Sequence, residues 1–277
     1  MVLKKILFPV DFSDRARGAA RYVEVFAGRF EAELMLLHVV SDGVRVLASE
    51  IEPQRNTELQ QFLSDELKYF NPQRVCVMGE PAAKIVEIAQ SWKPDLVMMP
   101  THGLGLYNRL ILGSVTAKVL HDLHCPLWTD IHAEKAPPLE KITIRKVLCA
   151  VDLEEESGAV IEWANFVARE YSAELGVVHV VPAVEAAAPA HYLDEEFEAN
   201  MMTQAKASLA TLEASFGCEA SNFVISGDTP KVIAEVAHQF EADLLVIGRH
   251  GGAGFEAHLR QNAYAILRES PCPVISI

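Results

Sequence analysis

The chain has no run approaching the ~20 consecutive apolar residues of a membrane-spanning helix, although half of its residues are hydrophobic. That argues against a membrane protein and leaves ample material for a buried core. The opening stretch MVLKKILFPVDF meets Pro9 and Asp11 too soon for a signal-peptide apolar segment, and reads as a first strand. Positive charge is scarce. Lysine and arginine number 24 against 38 aspartates and glutamates, for a net charge of −14. Nucleic acid and anionic lipid surfaces are recognised largely through basic side chains, so neither is expected as a partner. Cysteine is sparse too. Its five copies, Cys76, Cys125, Cys149, Cys218 and Cys272, form no CxxC. An odd, scattered set suits reduced thiols in a cytoplasmic protein.

Catalytic signatures are also missing. No GxSxG nucleophile elbow occurs. Neither a dinucleotide GxGxxG nor a P-loop GK[ST] follows a strand. No metal-and-water arrangement for efficient ATP hydrolysis stands out, so the expectation is no enzyme, or at most a weak ATPase.

Repetition is what the chain does have. Lys4–Asp11, KKILFPVD, resembles Arg145–Asp152, RKVLCAVD. Ala32-Glu33-Leu34 with His38-Val39-Val40 recurs as Ala173-Glu174-Leu175 with His179-Val180-Val181. Ile85–Ala89 recurs as Ile233–Ala237, Asp95-Leu96-Val97 as Asp243-Leu244-Leu245, His102-Gly103 as His250-Gly251, and Cys125-Pro126 as Cys272-Pro273. Matches in this fixed order indicate a duplication. Its halves are a first domain over residues 1–132 and a second over 141–277, joined by the Pro-containing linker 133–140, AEKAPPLE.

Both halves alternate short Val/Ile/Leu runs with helical periodicity. In the first, strands are expected at Lys5–Val10, Leu34–Val40, Arg74–Met78, Asp95–Pro100 and Pro126–Ile131, and helices at Arg15–Arg29, Glu50–Tyr69, Ala82–Ser91 and Ser114–Leu123. The second repeats the strands at Lys146–Val151, Leu175–Val181, Ser221–Ile225, Asp243–Gly248 and Val274–Ile277. Such runs suit parallel strands buried on both faces, with right-handed crossovers giving a doubly wound α/β fold.

The stretch Asp95–Leu120 carries the functional signal. An apolar run ends at Pro100, a glycine-bearing loop follows, and Gly113-Ser114 opens a helix. A strand, a glycine loop and a helix N-terminus together can receive an anion on backbone N–H groups. A plain flexible loop explains the same residues.

Taken together, the ordered marks resemble the universal stress protein family in its tandem two-domain form. They are the aspartates closing each first strand, HVV ending each second, Gly79 and Gly227 after each third, the loop after each fourth, and Cys-Pro before each fifth. The resemblance implies two tandem Rossmann-like domains of the adenine nucleotide alpha hydrolase-like type. Each would be a five-stranded parallel sheet in the order 3-2-1-4-5 with helices on both faces, and a pocket where the strand order reverses. It further implies a regulatory or stress-tolerance protein binding adenine nucleotide, most often ATP, in the first domain with Mg²⁺ as companion ion. Unknown partner proteins and an intramolecular pseudo-dimer or a homodimer are also implied.

Many relatives hold ATP with G-x-x-G, nine residues, then G-S or G-T. The first half keeps Gly103, Gly113 and Ser114 of that pattern but has Pro100 at the first glycine. The implied pocket is Pro9, Val10 and Asp11 near ribose, Val39 and Val40 against adenine, and Gly79 beside the ligand. Gly103, Gly113 and Ser114 would hold phosphates, with Thr101, His102 and Val115 also in the site and charge from Arg109, Arg15 or Arg17; the His102 ring could face phosphate but reads better as bracing the turn. The matching second-half positions are Asp152, Val180, Gly227, Gly248 and Gly251. There Gly248 opens the loop, but Gln261-Asn262 or Arg260-Gln261 replaces Gly-Ser, and Glu154, Glu155 and Glu156 follow Asp152. These carboxylates repel phosphate, so this half is expected not to bind ATP in the usual way. The alternative is a nucleotide-free scaffold or sensor that binds another small molecule or a partner protein through degraded pockets.

Two further clusters read as structural. His121, His124 and Cys125 offer metal-ligating groups, but histidines at a helix end suit its dipole. Glu195–Ala214 is an amphipathic helix whose Met201, Met202, Leu209 and Leu212 form a core stripe or, less simply, an adaptable binding face.

Overall fold

Each half of the duplication builds its own parallel sheet. The computed structural model describes residues 1–41, 48–102, 112–182, 195–249 and 257–277. The chain divides into two units, Met1–Thr143 and Ile144–Ile277.

In the first unit the elements run β1 (Lys5–Pro9), α1 (Asp14–Phe30), β2 (Glu33–Val40), α2 (Ala48–Gln61), β3 (Gln73–Met78), α3 (Pro81–Trp92), β4 (Leu96–Met98), α4 (Ser114–Asp122) and β5 (Leu127–Thr129). Every pairing is parallel, in the order β3-β2-β1-β4-β5. The second unit runs β6 (Lys146–Val151), α5 (Ser157–Tyr171), β7 (Glu174–Pro182), α6 (Glu195–Phe216), β8 (Ser221–Gly227), α7 (Thr229–Phe240), β9 (Leu244–Ile247), α8 (Ala257–Glu269) and β10 (Val274–Ser276). Its order β8-β7-β6-β9-β10 is the same arrangement. The expected doubly wound architecture is therefore present twice.

The central strands carry the core. Ile6, Leu7 and Phe8 of β1 and Leu96, Val97 and Met98 of β4 are fully enclosed, which explains their uninterrupted apolar sequence. Right-handed crossovers put α1 and α2 on one face and α3 and α4 on the other, and α3 packs against α4. The reversal between β1 and β4 leaves a crevice at their carboxyl ends.

Several repeated residues hold this frame in both units. The Asp95 carboxylate accepts from the backbone N–H groups of Lys4 (2.7 Å) and Lys5 (2.9 Å), fixing the start of β4 to the start of β1. Asp243 does the same with Arg145 (2.7 Å) and Lys146 (3.0 Å). His38 Nδ1 lies 2.8 Å from the Val10 carbonyl, and His179 Nδ1 lies 2.9 Å from that of Val151. A carbonyl only accepts, so in each case Nδ1 carries the proton and the ring ties β2 or β7 to the end of the neighbouring strand.

The second helix differs from expectation. Rather than continuing to Tyr69, α2 ends at Gln61, Leu63 adopts left-handed φ (54°), and a 3-10 turn spans Lys68–Phe70. Phe62, Leu63 and Leu67 are all buried. The left-handed φ of Leu63 cannot continue a right-handed helix. Arg74 closes the break by donating to the carbonyls of Leu59 and Phe62, which neutralises the helix C-terminus.

Ala133–Glu140, expected as a linker, is folded against the first unit. Ala133 is buried. Arg21 of α1 donates to the Ala136 and Pro137 carbonyls, and Arg15 pairs with Glu134 at 3.5 Å. Gly18 permits this contact, because a Cβ there would stand 1.7 Å from the Ala133 oxygen.

Candidate functional site

A cavity of about 310 Å³ occupies the crevice of the first unit, within the usual size range of small-molecule sites. Pro9, Val10 and Asp11 enter from the end of β1, and Leu37, His38 and Val39 from β2. Met99, Pro100 and His102 follow β4, Pro81 and Ile85 come from α3, and Gly113–Thr116 from the start of α4. Pro100 is thus a wall and leaves the hollow open. Its carbonyl accepts from the buried Thr116 hydroxyl at 3.2 Å, which holds α4 beside β4.

The walls separate into two chemistries. Val10, Val39, Pro81, Ile85 and Met99 are apolar, suited to a flat ring. The other end is the first turn of α4, where Gly113 provides no side-chain cap. The earliest N–H groups of a helix have no intrahelical acceptor, and they carry its positive pole. The Gly113 N–H itself donates to the Thr101 carbonyl at 3.0 Å, so the donors for an anion are Ser114, Val115 and Thr116. A Cβ on Gly113 would also meet that Thr101 oxygen at 3.0 Å, which accounts for glycine here.

Asp11 forms the lip. Its Oδ1 accepts from the Ser13 N–H (3.1 Å) and hydroxyl (2.6 Å), and the Ser13 oxygen caps α1 through the Ala16 N–H at 3.2 Å. Between them Phe12 takes left-handed φ (64°) and stacks on His38, centroids 4.3 Å apart. Burial holds the His38 ring below the usual histidine range, partly opposed by its hydrogen bond to Val10. Burial, then the Arg15 charge, lowers His102 as well. Both rings are therefore neutral at pH 7. His102 Nδ1 pairs with the Thr101 hydroxyl at 3.0 Å, a bracing contact that leaves the ring in the wall.

Other expected residues sit nearby without lining the cavity. Val40 is buried, as its alternation with Val39 along β2 requires. Its carbonyl accepts from the Gly79 N–H at 3.0 Å, and Gly79 has φ 149°. Thr101 is buried and does not line the cavity. Gly103 and Arg109 lie outside the described residues. Sequence reasoning missed Leu37, Pro81, Ile85, Met99 and Thr116. For Ile85 a signal existed, since Ala82, Ile85 and Ala89 share one helical face.

The second unit repeats the frame with altered chemistry. Asp152 accepts from the Glu154 N–H (3.0 Å) and the Ser157 hydroxyl (2.6 Å), and Leu153 takes left-handed φ (66°). Val180 is buried, and Gly227 keeps φ 154°. At Gly248 a Cβ would meet only Val160 at 3.5 Å, ordinary contact, so space does not demand glycine. The buried Arg249 stands where the first unit has Thr101. Burial, then Asp152 and Glu155, raises the Glu156 carboxyl, the mark of crowded negative charge. Gly251 lies outside the described residues.

The two units each match one family of proteins. The model of the universal stress protein family fits residues 3–129 and again residues 143–277. The chain belongs to the universal stress protein family. Universal stress protein MJ0577 of Methanocaldococcus jannaschii is 30% identical over 153 residues, covering 46% of this chain and 94% of that protein. Universal stress protein MJ0531 of the same organism is 32% identical over 135 residues, covering 45% of this chain and 79% of its own. Each relative spans about half of this chain, as a tandem two-domain universal stress protein requires. A universal stress protein from Archaeoglobus fulgidus superposes with a TM-score of 0.72 at 20% identity, covering 98% of this chain and 97% of that one. That likeness concerns the fold. Among the described residues of this universal stress protein, no helix is long and apolar enough to cross a membrane. Nor does any group of three or more His, Cys, Asp or Glu gather to hold a metal among them. His121 pairs instead with its neighbour Asp122 at 2.6 Å. On α6, Leu209 is core while Met201 stands 39% exposed.

Proposed function

We propose that this protein is a nucleotide-binding regulator of the stress-response type, holding one adenine nucleotide, ATP, in the cavity of its first unit. The observation that carries this reading is the pairing of an apolar slot with an uncapped helix start inside one 310 Å³ crevice. Val10, Val39 and Ile85 would enclose the adenine ring, Asp11 would face the ribose hydroxyls, and the N–H groups of Ser114, Val115 and Thr116 would take phosphate oxygens. Mg²⁺ would arrive with the phosphates, since no cluster of described residues is built to retain it alone. The reading assigns no nucleotide to the second unit, where carboxylates occupy the equivalent lip. Nucleotide would alter the surface offered to partner proteins.

Ser114→Glu tests this directly. Ser114 is the first residue of α4 and is exposed. A carboxylate at a helix start stabilises the helix while filling the anion position. ATP with Mg²⁺ is expected to raise the melting temperature of the intact chain and to leave the variant unmoved. An equal rise in both would remove α4 from the site. No rise in the intact chain at millimolar ATP would favour the nucleotide-free scaffold.

A further inference from the structure

The head of α4 is built differently from its counterpart in the second unit. Buried Thr116, Val119 and Leu120 of α4 have the spacing of buried Ala263, Ile266 and Leu267 of α8, and the same offset relates Cys125 to Cys272. Ser114 therefore corresponds to Gln261, and Thr116 to Ala263. α8 begins at Ala257, a full turn before Gln261. The amides that stand at the head of α4 thus have counterparts inside a helix, where backbone carbonyls take them. In the first unit two bonds set the helix start. The Gly113 N–H donates to the Thr101 carbonyl at 3.0 Å, and the Thr116 hydroxyl donates to the Pro100 carbonyl at 3.2 Å. Thr116 and Pro100 are both buried, and both line the cavity. Proline has no N–H, so this carbonyl is the only backbone polar group of Pro100, and without a donor it would carry a desolvation cost. The second unit has Gly248 in place of Pro100 and Ala263 in place of Thr116. Proline and hydroxyl are present together in one unit and missing together from the other.

We propose that Thr116 is a positioning residue for the phosphate end of this site: its hydroxyl, clamped on the Pro100 carbonyl, fixes the head of α4, so that the N–H groups of Ser114, Val115 and Thr116 are in place before ligand enters. The hydroxyl proton is spent on Pro100, so the side chain acts through the helix head and not by holding the ligand itself. Donors set in advance spare the ligand the cost of ordering them. The benefit falls on what the helix head receives, an anionic phosphate. It does not fall on the base, whose walls Val10, Val39 and Ile85 come from the ends of β1 and β2 and from α3. Thr116 therefore sets how much the phosphates add to the affinity of the bare nucleoside. This deepens, and rests on, the reading of the cavity as an adenine nucleotide site.

The test is calorimetric titration of adenosine, and of ATP with Mg²⁺, into the intact chain and into Thr116→Val, Thr116→Ala, Thr116→Ser and Thr129→Val. Amide hydrogen exchange of each protein without nucleotide is recorded alongside. Valine keeps the branched shape without the hydroxyl, alanine copies the second unit, and serine keeps the hydroxyl. Thr129 is the control, a buried threonine whose hydroxyl has no hydrogen-bond partner among the described residues. Thr116→Val and Thr116→Ala should weaken ATP about tenfold and adenosine by less than about twofold. Thr116→Ser should bind ATP within about twofold of the intact chain, and Thr129→Val should match it. The Gly113 amide, and the Ala117 amide that donates to the Gly113 carbonyl at 2.8 Å, should exchange about tenfold faster in Thr116→Val, while the amides of β1 keep their rates. Equal weakening of adenosine and ATP, undiminished ATP binding in Thr116→Val, or no rescue by serine overturns the proposal while leaving the nucleotide site intact. Unchanged exchange at Gly113 and Ala117 overturns it whether or not nucleotide binds. If the unaltered chain binds neither adenosine nor ATP, the nucleotide reading itself fails and this proposal falls with it.

Discussion

Replacing Gly18 with alanine should destabilise this protein, against the usual sign for such a change. Alanine in place of a mid-helix glycine ordinarily adds roughly 0.5–1 kcal/mol, because glycine loses more backbone freedom on folding. Gly28, on the same helix, is the ordinary case. A Cβ there would find Phe70 at 3.8 Å and nothing nearer. A Cβ on Gly18 would instead stand 1.7 Å from the Ala133 carbonyl oxygen and 2.7 Å from its carbon. Both are backbone atoms, so no side-chain rotation relieves the clash. Segment 133–140 must lift by more than about 1 Å before the contact becomes tolerable. That movement stretches the Arg21 hydrogen bonds to Ala136 and Pro137 and the Arg15–Glu134 pair. Overpacking and weakened charge-assisted bonds together cost about 2–4 kcal/mol, and the propensity gain returns about 1 kcal/mol. The net loss of ~1–3 kcal/mol lowers the first unit's melting temperature by roughly 3–10 °C. Gly28→Ala should raise it by about 2 °C. Scanning calorimetry of both variants decides the matter. Gly18→Ala as stabilising as Gly28→Ala would mean that this segment does not rest on α1.

Three further outcomes are expected. Glu24 has its carboxyl raised to about 7 by burial and by Glu66, opposed by Arg21. Its contribution is intact below the unfolded value of about 4.5 and is lost as pH rises through 7, so Glu24→Gln should stabilise at pH 8 by ~1 kcal/mol after solvent screening and by nothing near pH 4, read from urea midpoints. Asp130 is buried and raised to about 6 by desolvation, partly offset by the His132 N–H. Asp130→Asn keeps that acceptor and should gain ~1–3 kcal/mol at pH 8 but not at pH 4, and a loss at both would show the charge to be needed. Asp95→Ala and Asp243→Ala each strip two backbone N–H groups of their carboxylate and should each cost ~1–3 kcal/mol in denaturant titrations; a cost in only one unit would break the equivalence of the halves.

Much of the frame was legible because it is written in local, repeated terms. Unbroken apolar runs such as Ile6–Phe8 and Leu96–Met98 announced buried parallel strands, and their recurrence fixed the doubling. Asp95 and Asp243 were visible as a motif, but their task of joining two strand starts appears only once β1 and β4 are neighbours. The end of α2 is hidden in the sequence because the helical apolar pattern persists through Leu67, and the left-handed turn at Leu63, a residue that ordinarily extends a helix, has no local signal. Of the candidate site, Asp11, Val39, Gly113 and Ser114 were readable from their places at strand and helix ends. Pro81 and Ile85 carry no such mark, because α3 reaches the cavity only through a crossover from β3. The fit of segment 133–140 on Gly18 has no local signature at all, since two prolines among polar residues describe a free linker equally well.

The most direct measurement is the stoichiometry of ATP binding by isothermal titration, with Mg²⁺ present, for the unaltered chain and for Ser114→Glu. One equivalent per chain, abolished by the substitution, is the predicted result. Two equivalents, or one that survives the added carboxylate, would contradict a single site at the head of α4.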